Sequence, residues 1–158
     1  MGFAVLIGSS LMIASSISAA VPAVTPEIAL QKYCEPLIAG STAKQVGDIA
    51  RQDGFKDEVV SGQPMLQAGE LLIGISETPR VCFVQALTAM SFEDGVALVD
   101  AWAKRHPDAV QSPTTRGPDG AQVRGWSAPA RRMAIVASQQ RAPSGRVSVA
   151  FILMPLPS

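Results

Sequence analysis

The chain is poor in the residues that most metal and catalytic sites require. It contains one histidine, His106, and two cysteines, Cys34 and Cys82, which lie far apart in the sequence. Zinc needs three or four protein ligands at workable spacing, so we expect no metal. No serine has a Gly-x-Ser-x-Gly surrounding, and no glycine-rich phosphate loop is present, so neither a serine hydrolase nor a nucleotide site is indicated. We therefore predict no cofactor.

Paired carboxylates occur at two places, Asp57-Glu58 and Glu93-Asp94. Such pairs can work together in glycoside hydrolysis, and carboxylate oxygens can bind calcium. Neither pair has the alternating oxygen pattern of a calcium loop, and the second opens a predicted helix, where acids favour the positive end of the dipole. We interpret both pairs as surface charges and assign no catalytic residue.

Charged side chains are also missing from the first twenty residues, MGFAVLIGSSLMIASSISAA. Ser18 and Ala20 place small side chains at the −3 and −1 positions of a cleavage after Ala20. We predict a signal peptide over 1–20, one mature domain over 21–158, and a periplasmic or secreted location. An uncleaved apolar anchor is the alternative, because about 20 apolar residues can cross a bilayer. We expect no membrane span after signal cleavage.

The remaining chain has enough apolar residues to fold around one core, since hydrophobic residues make up 47% of the sequence. Periodicity and capping residues predict helices in TPEIALQKYCEPLIAG, STAKQVGDIARQDGF and SFEDGVALVDAWAKRH, with Pro36 kinking or shortening the first. Strands are predicted in ELLIGIS, RVCFVQA, AQVRGWS, RRMAIVASQQ and RVSVAFILM. Short links between consecutive strands favour an α+β fold of order α-α-β-β-α-β-β-β. We expect an antiparallel sheet of about five strands with two to three helices packed on it.

This element order resembles the profilin- or roadblock-type arrangement, in which two strands and three strands flank a central helix. The resemblance covers most of the predicted mature domain, and it concerns topology alone. It implies a helix-covered antiparallel sheet and no functional residue. In its general character the chain is also similar to small uncharacterised exported proteins of bacteria.

The two cysteines lie on predicted elements that would pack against each other. Cys34 is on the apolar stripe of the first helix, and Cys82 is on a strand that this helix would cover. In an exported chain such a pair predicts a disulfide bond, and two buried free thiols are the alternative. Val81 and Phe83 give Cys82 an apolar setting that disfavours a nucleophilic thiolate. His106, at the end of the following helix, is expected to face solvent or to cap that helix.

Charge is unevenly distributed although the net charge is zero. Residues 21–100 contain five bases and eleven acids, whereas residues 101–158 contain eight bases and two acids. We interpret six arginines of the last strands and turns as a candidate anion or partner surface: Arg116, Arg124, Arg131, Arg132, Arg141 and Arg146. Because guanidinium groups favour carboxylate and phosphate, the expected partner is an acidic protein or an anionic envelope component. The alternative is that the two halves pack together and neutralise each other.

These observations favour an exported binding or envelope-interaction module over a catalyst. A hydrolase-type enzyme with no recognisable motif is the alternative. Nucleic acid is not an expected partner, because the chain is predicted to be exported. Aromatic residues, which could stack on bases, also make up only 5% of the sequence.

Overall fold

A computed structural model describes residues 23–117, 119–141 and 144–157 of the chain. Within these ranges three helices pack on one face of an antiparallel sheet. The predicted α+β class is confirmed, but the sheet has nine strands where about five were expected. None of the helices in these ranges is both long enough and apolar enough to cross a membrane. The predicted signal peptide, 1–20, lies outside the described residues.

Helix α1 spans 26–39 in three segments: Pro26–Ala29, the π-helical turn Leu30–Cys34 and Glu35–Ala39. The Thr25 hydroxyl caps its start by accepting a hydrogen bond from the Ile28 backbone N–H. The π-helical turn lies directly before Pro36, which has no N–H to donate to the preceding turn. A wider turn at this point accommodates the proline, and the helix continues to Ala39.

Helix α2 is Ala43–Gln52 and helix α3 is Phe92–Lys104. Both begin at the predicted caps. Thr42 and Gln45 form a reciprocal capping box, and the Ser91 hydroxyl accepts a hydrogen bond from the Asp94 backbone N–H. After α2, Gly54 adopts a left-handed conformation with φ of 95°, which turns the buried Phe55 back into the core.

The strands are β1 Lys56–Val60, β2 Gln63–Ala68, β3 Leu71–Glu77, β4 Arg80–Ala86, β5 Val110–Gln111, β6 Thr115–Arg116, β7 Gln122–Ala128, β8 Met133–Arg141 and β9 Val147–Pro155. Their order in the sheet is β1-β2-β3-β4-β9-β8-β7-β5, and the short β6 also pairs with β7. All pairings are antiparallel. The sheet therefore consists of two meanders that meet where β4 pairs with β9.

The additional strands are mostly those that lack an alternating apolar pattern. The β1–β2 hairpin was missed because β1 is exposed and charged and β2 contains Pro64. Its two-residue turn, Ser61-Gly62, has positive φ at both positions. This geometry is typical of two-residue hairpin turns, and a Ser-Gly pair between two strands can indicate it. The two-residue strands β5 and β6 lie between α3 and the predicted strand AQVRGWS, in a segment for which no element was predicted.

The core lies between the helices and the face of the sheet that they cover, which we call the covered face. Its central side chains come from adjacent strands and are fully buried: Ile73, Val84, Phe151, Leu153 and Ile135. Helix α1 lies over β4 and β9, α2 over β2 and β3, and α3 over β7, β8 and β9. The opposite face of the sheet has none of the three helices on it, but Leu72, Gln85 and Ala150 on that face are also buried.

Candidate functional site

The two cysteines form the predicted disulfide bond. The Sγ atoms of Cys34 and Cys82 are 2.01 Å apart, and both residues are fully buried between α1 and β4. The alternative of two free thiols is therefore wrong, and neither sulfur can act as a nucleophile. A disulfide of this kind fits a protein from an oxidising compartment.

His106 does not face solvent, and the expectation that it would is wrong. Its exposed fraction is 4%, and its ring lies on the Trp102 indole with the ring centroids 4.3 Å apart. The turn after α3 folds His106 inwards, towards α1. The spacing of four residues from Trp102 could have indicated this, because positions i and i+4 share one face of a helix.

Glu35 connects α1 to α3 beside this histidine. Its Oε1 atom accepts a hydrogen bond from Trp102 Nε1 at 2.9 Å and lies 3.5 Å from Arg105 Nη2 and 3.7 Å from His106 Nε2. Arg105 also donates through Nη1 to Glu27 at 2.9 Å. Donors already surround the one Glu35 oxygen that faces His106, so we interpret the cluster as a polar link between two helices.

One acid of each pair considered from the sequence has a structural partner. The Arg51 guanidinium donates to both Asp57 oxygens, and this hydrogen bonding lowers the pKa of the Asp57 carboxyl below its ordinary value. Asp94 accepts a hydrogen bond from the Ser91 hydroxyl at the start of α3. In the part of the chain that the structure describes, no three histidine, cysteine or acidic side chains are grouped as a metal site would require.

The six predicted arginines do not form one surface. Arg116, Arg141 and Arg146 lie at the end of the sheet where the β6–β7 and β8–β9 turns meet, and we call these three residues the arginine end. Arg131 and Arg132 lie at the opposite end of β7 and β8, in the turn that joins these strands. These five arginines are all exposed.

Arg124 differs from the other five. It lies within β7 on the covered face, is only partly exposed, and holds its guanidinium carbon 5.8 Å from the centre of the Trp126 ring. Its Nε atom is buried and has no hydrogen-bond partner among the described residues. We therefore interpret Arg124 as a packing residue and do not include it in a ligand site.

Two turns shape the arginine end. Arg116 Nη1 donates to the Gly120 carbonyl at 3.1 Å, and Arg141 Nη1 donates to the Gly145 carbonyl at 3.2 Å. Between the turns lies a shallow depression of about 250 Å³. Ala121 and Gln139 are among the residues that line it, together with Arg141. Asp119 also lines the depression, and its carboxylate accepts a hydrogen bond from the Ala121 backbone N–H.

Among the described residues, none of the six arginines lies within 4.0 Å of a carboxylate oxygen. The alternative that the two halves neutralise each other therefore does not describe them. Arg105, which was not among the predicted six, is the arginine that forms ion pairs between the two halves, with Glu27 and Glu35. The six arginines remain free of acidic partners within the described chain.

A separate apolar cavity of about 690 Å³ lies near the start of α1. Pro26, Leu71, Ala86 and Met90 contribute to its wall, and Asp53 lies at its edge. None of the predicted arginines lines it. No sequence pattern indicates this cavity, because its wall is assembled from segments of four different elements and turns.

Comparison of the chain with protein-family models, with curated proteins and with solved structures finds no match. The resemblance to the profilin- or roadblock-type arrangement therefore stays a prediction about topology. Any function has to be argued from the residues themselves.

Proposed function

We propose that the protein is an exported binding module that holds anionic groups of an envelope component at the arginine end. The observation that carries the proposal is the position of three exposed guanidinium groups on adjacent turns, none of them within 4.0 Å of a carboxylate oxygen of the described residues. Arginine is the side chain best suited to bidentate contact with phosphate and carboxylate. The absence of a partner within the described chain leaves these donors available.

The hydrogen bonds within the turns support this function. A guanidinium has five N–H donors, and Arg116 and Arg141 each use one nitrogen to bind a carbonyl of their own turn. Each side chain is thereby oriented while its other donors stay free. Less conformational entropy is lost on binding when a side chain is already oriented.

The spacing of the arginines favours a surface with repeated charges over one small anion. Arg116 on β6 pairs with Gln122 on β7. On β8, Arg141 lies two residues beyond the position opposite Gln122. Strand separation and rise then put the two Cα atoms on the order of 12 Å apart. Anionic lipid headgroups, or the phosphates and carboxylates of an envelope polymer, present charges over such distances.

Export rests on two independent features. The disulfide bond requires an oxidising compartment to form and persist. The apolar segment 1–20 has the small residues of a cleavage site at its end. Mass spectrometry of the protein from a periplasmic fraction tests this part: a mature chain beginning near Val21 is expected, and recovery only in the cytoplasm would contradict it.

Co-sedimentation with vesicles tests the binding. We expect the protein to bind vesicles that contain phosphatidylglycerol, not vesicles of phosphatidylcholine alone, and to release them as salt is raised, because contacts between exposed charges are screened. Replacement of all three residues, Arg116→Gln, Arg141→Gln and Arg146→Gln, should abolish this binding.

The matched control is Arg131→Gln with Arg132→Gln, which removes two exposed arginines at the other end of the same strands. This variant should retain most of the binding. Equal losses in the two variants would show only a general charge effect and would contradict a site at the arginine end. Capture of an acidic protein without vesicle binding would support the other partner class named from the sequence.

A further inference from the structure

The described chain begins in the wall of the apolar cavity at the start of α1. Ala23 contributes to this wall, and so do the next three residues, 24–26. Val24 packs against the hydrophobic core, and the Thr25 hydroxyl caps α1. These contacts hold the chain at the cavity from Val24 onwards, so the residues just before Ala23 start from its wall.

The charged side chains that line the cavity are all of one sign. Among the described lining residues, Asp53 and Glu70 are acidic and none is basic. Asp53 already binds Lys32 Nζ at 2.6 Å and accepts a hydrogen bond from the Tyr33 hydroxyl. Glu70 is exposed in the turn between β2 and β3, and no basic side chain of the described residues lies within 4.0 Å of its carboxylate. The cavity therefore suits an apolar occupant that carries a positive charge.

Removal of the predicted signal peptide produces such a group two residues from Ala23. Hydrolysis of the Ala20–Val21 peptide bond by a signal peptidase consumes one water, leaves a carboxylate on Ala20 and frees the Val21 nitrogen as an amine. An α-amino group has an ordinary pKa of about 7.7 to 8.0, so it is mostly protonated at neutral pH. The mature chain then begins with a positive charge on the apolar pair Val21-Pro22.

From the cavity and its charges we infer that Val21 and Pro22 of the mature protein bind in the cavity, with the Val21 ammonium on the Glu70 carboxylate. The inference rests on the export part of the proposed function and does not involve the arginine end. In the precursor, the Val21 nitrogen is a neutral amide joined to residues 1–20. The ion pair therefore forms only after cleavage, and removal of the signal peptide fills the cavity.

Reach and stiffness favour this occupant. Two residues span at most about 7 Å from Ala23, whereas a sphere of 690 Å³ is about 11 Å across. Val21 is therefore confined to the neighbourhood of the cavity, where Leu71 and Met90 offer apolar contacts. Pro22 fixes its own φ and restricts the preceding residue to extended conformations, so little conformational entropy is lost on binding.

The covalent link also favours the N-terminus over a separate ligand of the same chemistry. A group that is tethered by a short segment has an effective concentration in the millimolar range. A free apolar amine would have to exceed this concentration in order to displace it. The mature protein should therefore keep its own N-terminus in the cavity.

The reactivity of the α-amino group tests the ion pair in mature protein purified from the periplasm. An ammonium that binds a carboxylate offers less free amine, and each unit by which its pKa rises lowers the free amine tenfold. At pH 7, acetic anhydride should therefore modify Val21 about threefold or more slowly in the wild type than in Glu70→Gln, as measured by peptide mass spectrometry. Glu58→Gln is the matched control and should react like the wild type, because Glu58 is an exposed acid of β1 that does not line the cavity. Equal rates in the wild type and Glu70→Gln would overturn the ion pair.

A photo-crosslinking residue in place of Thr88, an exposed residue of the cavity wall, locates the N-terminus independently. The expected product joins position 88 to Val21 or Pro22 of the same chain. Crosslinks only to other segments, or only to another molecule, would overturn the inference. Retention of residues 1–20 in the periplasmic protein would overturn it together with the predicted cleavage, and would leave the arginine end unaffected. Conversely, a protected and crosslinked N-terminus in a protein that binds no vesicles would contradict the proposed binding function alone.

Discussion

Residues 23–100 and residues 101–157 use their basic side chains in opposite ways. In the first part, Lys32, Lys44 and Arg51 are paired with carboxylates, and Arg80 is bonded to two backbone carbonyls. In the second part, Arg105 is the one lysine or arginine with a carboxylate partner among the described residues. The first part also contains the disulfide bond. Basic residues therefore stabilise the first part, whereas in the second most of them are free to bind something else.

The largest expected effect comes from the disulfide. Replacing Cys34 and Cys82 together with alanine should lower the free energy of unfolding by about 4 kcal/mol, because the bond closes a loop of 48 residues in the unfolded chain. Denaturant unfolding of the oxidised protein and the variant measures the difference. The reduced wild-type protein serves as the control and should resemble the variant. A loss below about 1 kcal/mol would show that the bond contributes little.

Arg80 allows a direct comparison between the two parts. Its Nη1 atom donates to the Leu37 carbonyl at 2.6 Å and to the Ser41 carbonyl at 3.0 Å, at the negative end of α1. Arg80→Gln should lower the free energy of unfolding by about 2 kcal/mol, because two partly buried carbonyls lose their charged donor. Arg141→Gln removes a similar bond at an exposed turn and should cost less than about 0.5 kcal/mol. Thermal and denaturant unfolding of the two variants, side by side, checks the contrast.

A smaller effect depends on pH. Asp53 lies 2.6 Å from Lys32 Nζ and accepts a hydrogen bond from the Tyr33 hydroxyl at 2.5 Å. The Lys32 ammonium first, and then the Tyr33 hydroxyl, lower the pKa of the Asp53 carboxyl. Burial, together with the Asp53 carboxylate, raises the pKa of Tyr33. The interaction therefore favours an ionised Asp53 beside a neutral Tyr33.

The sign of the pH effect follows from these directions. Asp53 stabilises the fold at pH values above the ordinary aspartate pKa of about 3.9, and this contribution is lost as pH falls through its lowered folded value. Neutral Tyr33 stabilises the fold at pH values below its ordinary pKa of about 10, and this contribution is lost as pH rises above that value. Asp53→Asn should cost about 1 kcal/mol at pH 7 and less at pH 3. Unfolding curves at both pH values check this, and an equal cost at both would contradict it.

The elements that could be predicted from the sequence are those specified by local chemistry. Thr42 and Ser91 cap their helices as expected, and apolar stripes on α1 and β4 placed Cys34 opposite Cys82. The edge hairpin β1–β2 was missed because exposed strands need no apolar alternation. The division of the arginines between two ends was also missed, since it depends on strand register. Register is set by the pairing of whole strands, and the spacing of individual arginines says nothing about it.

The smallest expected effect is the most informative for function. The triple variant Arg116→Gln, Arg141→Gln and Arg146→Gln should change the free energy of unfolding by less than about 0.5 kcal/mol, because exposed side chains without charged partners contribute little to stability. Denaturant unfolding measures this, with Arg80→Gln as the destabilised reference. A loss above about 1 kcal/mol would reveal a structural role for these arginines. If stability is unchanged while vesicle binding disappears, the three residues serve a partner and not the fold.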